Sequence, residues 1–311
     1  MKKSRIIIIS AAIIFFIVFN FITNDRFLSF SNIKTILSHA VIPTFVTLGM
    51  CFIFGTGLID LSVGAVIIIA ANIGGLMAVE VGYFGLIIGA VAVATLLVLF
   101  NLKLYLTLKI PSWLLGLGMA MIYETIAMLY SSIRVKAGSQ VVDLGKICRE
   151  LGAFPYNMVM LSVGLAAAYF IYYRSTAGLN IRAVGSNGAV SGMMGININR
   201  TIIIGGLIGG IFIGFAAAIK ESYIGRVMPT SGLMSISEIY LPLAALLLAQ
   251  ALEEVFPRII GVLISTVFIA AVFNMLTILG VPSGTWQEVV LAVCIIFFGI
   301  VSQRKNTGVV K

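Results

Sequence analysis

From Ile6 to Val301 the chain is a series of apolar runs, and its few charged residues fall mostly in the breaks between them. Each run is close to the ~20 residues that cross the hydrocarbon core of a bilayer. The runs are Ile6–Ile22, His39–Thr56, Ser62–Val79, Phe84–Leu104, Ser112–Tyr130, Tyr156–Tyr173, Thr201–Ala218, Ile236–Ala251, Ile259–Leu279 and Trp286–Val301. Hydrophobic residues make up 60% of the chain and charged residues 10%. An ordinary soluble domain carries about 25% charged residues, so a water-facing surface cannot be assembled here. The expected fold class is an all-α integral membrane protein of about ten transmembrane helices, one transmembrane domain over residues 1–311 with no hidden soluble domain.

The N-terminal segment resembles a signal peptide, with Lys2, Lys3 and Arg5 ahead of an apolar run. The run is longer than a signal h-region and no small-x-small cleavage site follows. It is read as an uncleaved first helix. The net charge of +9 would point to nucleic acid in a soluble protein. No basic patch alternates with stacking aromatics, so nucleic acid is not an expected partner. In a membrane protein the excess marks cytoplasmic loops. An even number of spans puts both termini on one side, with Lys103, Lys109, Arg174, Arg182, Arg200, Arg258, Arg304, Lys305 and Lys311. That side is expected to be the cytoplasm. The external loop Ser131–Pro155 runs against the rule, since it holds Arg134, Lys136, Lys146 and Arg149.

Cys51, Cys148 and Cys294 form no CxxC pair, and His39 is the sole histidine. Neither pattern makes a metal or redox centre, so no cofactor is expected. Within the spans, the glycine run Gly205–Phe215 has two readings, close helix packing or a flexible gate. Pro242 interrupts the eighth run, which is expected to be a broken or half-length helix.

Two polar stretches carry functional information. The first is "GTGLIDLSVGAV", Gly55–Val66, with Asp60 between two apolar runs. Its carboxylate can bind substrate, act in a proton relay, or accept backbone N–H bonds where the next helix begins. The pattern D-L-S-V-G supports the last reading, with Asp60 or Ser62 as the cap. The second stretch is the loop Arg174–Arg200, far longer than a connector between packed helices. It reads as a docking surface for a partner or as a solvated connector, with a short helix over Asn187–Met194.

These two stretches, with "PTSG" at Pro229–Gly232, resemble the landmarks of one family, the permease subunits of bacterial ABC importers for monosaccharides. The resemblance runs from about Phe27 to Lys305. It implies a type II-like importer permease in the bacterial plasma (inner) membrane, importing a sugar or sugar-like solute. In that family the loop corresponding to 174–200 holds a coupling helix that docks on the ATP-binding subunit. The matching positions are Gly185, Asn187, Gly188, Ala189, Gly192, Gly195 and Ile196. The turn at Leu58, Asp60, Leu61 and Ser62 then forms one wall of a cytoplasmic gate, and Pro111, Ser112 and Trp113 the other. The implied partners are ATP-binding cassette subunits, an extracytoplasmic binding protein and a second permease. The chain has no GxxxxGK[ST] loop, so it is expected to be a channel and not an enzyme. Candidate pathway-lining residues are Asn72, Asn101, Ser112, Tyr123, Asn274 and Trp286, each of which is equally readable as a buried polar group bonded to a neighbouring helix.

The chain departs from the family pattern in three places. Gly188 follows Asn187 where the family has Glu, Glu124 stands where an arginine is usual, and Leu248–Pro257 lacks the usual glycines. These departures point to a specialised half of a heterodimer. Alternatives are a permease for branched-chain amino acids or nucleosides, and an ion-coupled secondary transporter, although the halves show no repeated motif.

Overall fold

A chain with so little polar surface must satisfy its backbone within itself, and a helix does so inside one segment. The computed structural model describes residues 16–136, 138–281 and 284–306, without the side chains at 285 and 302–306, and contains no strand among them. Helical residues 16–22 form α1. There follow α2 (Phe30–Phe54), α3 (Val63–Val81), α4 (Tyr83–Leu108), α5 (Ser112–Val135), α6 (Tyr156–Arg174), α7 (Thr176–Ser186), α8 (Gly188–Met193), α9 (Ile198–Ile224), α10 (Ser237–Ala251), α11 (Arg258–Ile278) and α12 (Thr285–Asn306).

Eight stretches among the described residues are long and apolar enough to cross a membrane. They are α2 to α6, α9, α11 and Met234–Ala251, which joins a short 3-10 turn to α10. The apolar helix Trp286–Val301 is shorter. Most of the expected span Ile6–Ile22 lies outside the described residues.

The chain divides into two units, Phe45–Ile239 and the residues on either side of it. In Phe45–Ile239, α4 and α9 pack antiparallel through the glycine run. Gly206 lies against Leu102, Gly210 against Thr95, and Gly214 against Val91. A Cβ at Gly210 would come 2.7 Å from the Thr95 Cα. Between the two readings of this run, the structure has the close packing. In the other unit, Phe27, Ile36 and Ala40 pack with Ala270, Ala271 and Met275. There the Asn32 and Asn274 amides pair reciprocally at 2.8 and 2.9 Å.

Two expectations are corrected here. Pro242 lies inside continuous helix α10 and does not break it. An interior proline loses one backbone bond and crowds the turn before it, yet the helix continues through it, and at 15 residues it is shorter than a full span. The loop 174–200 contains two helices, not one. Ser175 caps α7 by accepting from Gly178 N at 3.1 Å, and Gly178, Ile181 and Val184 form its buried stripe.

The glycine-free segment Leu248–Pro257 closes as overlapping turns. Leu252 N and Phe256 N donate to Leu248 O and Leu252 O, each at 2.9 Å. Arg258 then pairs with Glu253 at 2.6 Å. None of these residues has a positive φ, so the turn does not require glycine. The segment after α5 is pinned to the end of α9: Leu144 N donates to Gly225 O, Gly152 N to Ser222 Oγ, and Ser222 Oγ to Cys148 O.

Candidate functional site

The turn between α2 and α3 contains Gly57, whose φ of 86° favours glycine. It rests on the last turn of α7: a Cβ on Gly185 would run into the Gly55 carbonyl. A Cβ on Gly205 of α9 would come 2.8 Å from Thr56 Cγ2. The two polar stretches of the sequence, more than a hundred residues apart, are therefore in direct contact.

Beyond Gly57 the chain turns inward at Asp60, which is 5% exposed. Its Oδ1 accepts from Ser62 N at 2.8 Å and from Ser62 Oγ at 2.7 Å. Its Oδ2 accepts from Asn101 Nδ2 of α4 at 3.3 Å, and Asn101 Nδ2 also donates to Ser62 Oγ at 2.5 Å. Tyr123 of α5 donates to Asn101 Oδ1 at 2.7 Å. Asp60 thus takes one backbone N–H beside the start of α3, while Ser62 occupies the cap position without a side-chain bond to the helix. A buried carboxylate needs partners of this kind. All three bonds to the carboxylate come from donors of the chain itself, and both of its oxygens accept.

The first turn of α5 closes over this network. Ser112 Oγ accepts from Ile59 N at 3.0 Å. At Gly116 a Cβ would come 2.6 Å from Leu61 N and 3.0 Å from Asp60 Oδ1, so the helix can approach only with glycine there. Beside this joint lies a cavity of about 660 Å³, lined among others by Leu58, Ile59, Lys109, Pro111, Ser112 and Trp113. Of the four residues expected to form the first wall, Leu58 lines this space together with Pro111, Ser112 and Trp113.

The residues expected to line a pathway have partners inside the chain. Asn72 donates to Ile68 O at 2.8 Å, Asn101 and Tyr123 belong to the Asp60 network, and Asn274 pairs with Asn32. In an apolar span a buried polar group must find such a partner; Asn72 finds it in the preceding turn of its own helix, and the other three find it on neighbouring helices. Trp286 is 61% exposed.

Glu124, the residue after Tyr123 on α5, is buried to 3% exposure, and the sequence marks it only as a charge opposite to the family's usual arginine. Its carboxylate accepts from Leu233 N at 2.8 Å and Ser235 N at 2.7 Å. It holds the turn after "PTSG", where Leu233 has a φ of 66°. Lys220 and Glu238 pair at 2.5 Å nearby in sequence, joining α9 to the start of α10. Nothing in the local sequence announces these partners.

On the other side of Gly185, Asn187 caps α8 by accepting from Val190 N at 3.1 Å. Gly188 is the first residue of α8, where the cost of glycine is lower than in a helix interior. Gly195 closes the segment with a φ of 83°. Ala189, Gly192 and Gly195 are exposed and Ile196 is half-buried, while Val190, Met193 and Met194 are 49%, 88% and 76% exposed. A six-residue helix presenting this much apolar surface has a face free to be covered.

Over residues 32–299 the chain matches the model of the family described as branched-chain amino acid transport system / permease component. The chain belongs to this permease family. Among curated relatives, the permease is 25% identical over 289 residues to the ribose import permease protein of Escherichia coli K12, covering 91% of this chain and 89% of the relative. It is 30% identical over 218 residues to the autoinducer 2 import system permease protein of Enterobacter sp. strain 638, covering 67% and 61%. It is 25% identical over 281 residues to the D-allose transport system permease protein of Escherichia coli K12, covering 90% and 85%. No solved structure matches the permease significantly.

Proposed function

We propose that the permease is the channel-forming subunit of an ATP-driven importer for a sugar or sugar-like solute, delivered by an extracytoplasmic binding protein. The observation that carries this reading is the contact of the Gly55–Ser62 turn with Gly185 at the end of α7. A displacement imposed on α7 and α8 reaches that turn directly. In this reading α8 and its flanks, Gly185 to Ile196, are the coupling segment that docks on a separate ATP-binding subunit. Leu58, Asp60, Leu61 and Ser62 are one wall of a cytoplasmic gate, and Pro111, Ser112 and Trp113 the other. Asn101 and Tyr123 join α3, α4 and α5, and Asn274 joins α11 to α2, while Asn72 bonds within α3; a pathway would run beside these groups.

The relatives named for ribose, autoinducer 2 and D-allose support a sugar-like solute over the branched-chain amino acids in the family description. The basic residues support a bacterial plasma (inner) membrane location with both termini cytoplasmic, since Lys103, Lys109 and Arg200 lie at the same ends of the antiparallel α4 and α9. Gly188, Glu124 and the glycine-free turn at Leu248–Pro257 support pairing with a different, more typical permease. Two copies of this chain as the only permease in the purified complex would exclude that pairing.

The test is uptake in proteoliposomes that contain the permease with the ATP-binding and binding proteins encoded beside it. Uptake of labelled ribose or a related sugar is expected to stop when ATP is depleted and the proton gradient is kept. Uptake that instead follows the proton gradient refutes the ATP-driven reading.

A further inference from the structure

The membrane-spanning helices α6 and α9 leave a groove of about 170 Å³ between them. Every residue lining it is apolar, so nothing in its walls can bond a sugar or an ion. Phe45 of α2 forms its floor, with ring centres 6.3 Å from Phe212 and 6.2 Å from Phe215. Gly164 brings α6 onto that floor, since a Cβ there would come 2.6 Å from the Phe45 ring. On the α6 wall, Val163, Ala167 and Ile171 recur at four-residue steps, and on α9 the wall runs through Ile208, Ile211 and Phe215. These are stripes along two helices, the shape of a trough and not of a closed chamber.

Both stripes end in a cation. Arg174 follows Ile171 by three residues, and Arg200 precedes Ile208 by eight, so each continues its stripe by helical spacing. Both side chains are exposed. They lie at one membrane side, because α7 packs against both α6 and α9. Arg182 of α7 adds a third positive charge there, with its guanidinium 5.4 Å from the ring centres of Tyr172 and Tyr173. An apolar trough between two membrane-spanning helices, with guanidinium groups further along both helices on one side, has the charge and polarity profile of one ligand class.

We infer that the groove between α6 and α9 holds an acyl chain of an anionic phospholipid, with its phosphate at the Arg174–Arg200 end. Hydrocarbon gains nothing from leaving one apolar environment for another, so retention rests on packing and on the charge at the head group. Selectivity for an anionic head group follows, of about fivefold for each arginine engaged. The inference depends on the membrane spans and not on which solute is carried.

The experiment is native mass spectrometry of the purified full chain after detergent delipidation, with phosphatidylglycerol and phosphatidylcholine supplied as competing probes. The wild-type chain is expected to retain about one phosphatidylglycerol and to prefer it at least fivefold. Ala167→Phe fills the trough from an exposed position and is expected to lose both lipids. Arg174→Gln with Arg200→Gln, a surface change that leaves the trough open, is expected to keep a bound lipid and lose the preference. If Ala167→Phe does not fold, the arginine variant decides alone. Absence of any retained lipid, full retention in Ala167→Phe, or an unchanged preference in the arginine variant overturns the inference. So does loss of a second copy of the chain in place of lipid, which would assign the groove to a chain–chain contact.

Discussion

Replacing Asp60 with Ala removes the acceptor from three donors, and their fates differ. Ser62 Oγ still accepts from Asn101 Nδ2, but its own hydroxyl hydrogen, Ser62 N and the second hydrogen of Asn101 Nδ2 all lose their acceptor inside a buried site. Each orphaned buried donor costs about 1–3 kcal/mol. Removing the buried charge offsets part of that sum, which leaves a loss of about 3 kcal/mol. Unfolding in mixed detergent and SDS, followed by circular dichroism, reads this difference. A second variant, Asn101→Ala, removes one of the orphans itself. The double variant is therefore expected to be less damaged than the sum of the singles, by about 1–2 kcal/mol. The set of solutes that compete for uptake should not change, because the carboxylate is engaged by the chain. The reasoning fails if Asp60→Ala costs less than about 0.5 kcal/mol, if the two changes are additive within that margin, or if the solute preference shifts.

Other consequences follow from contacts of the same kind. Glu124→Arg, the residue usual in the related permeases, would aim a donor at the Leu233 and Ser235 amides. It is expected to abolish accumulation of the folded chain in membranes, and a normal yield by size-exclusion profile would refute the clamp. Gly64→Ala would drive a Cβ into the Ser235 carbonyl, and a loss of about 1–3 kcal/mol is expected in the same SDS titration. Asn187→Ala removes the cap of α8, worth about 1 kcal/mol. It is expected to raise ATP hydrolysed per solute imported with little effect on the stability of the rest of the chain.

The helices were largely legible because apolar runs of this length have one stable solution in a bilayer, and α3, α6 and α11 begin or end within a residue or two of the hydropathy limits. What periodicity does not carry is a bond between distant positions. The D-L-S-V-G pattern announced that Asp60 belongs near a helix start, yet its partners Asn101 and Tyr123 come from two later helices. Glu124 stood out as a charge of unexpected sign, but its two backbone acceptor bonds fall to Leu233 and Ser235, over a hundred residues on. Helix α7 was readable in principle from Ser175 and the spacing of Gly178, Ile181 and Val184. It was obscured by the polar composition of its loop, where hydropathy is a poor guide to a helix that packs beside a membrane.

The Asp60 network also has a mechanical meaning. Because it fastens the start of α3 to α4 and, through Tyr123, to α5, the three helices form a stiff bracket in which no member can bend at Asp60 without breaking the others' bonds. Compliance is left to the joint ahead of it, at Gly57, in the left-handed backbone region with φ of 86°. A push delivered at Gly185 is then converted into a swing of the whole bracket about that joint, with Gly185 as the point of application and the helix lengths as the lever. Spin labels placed on α3 and α5 should keep their separation throughout the ATP cycle, while labels on α3 and α7 change theirs.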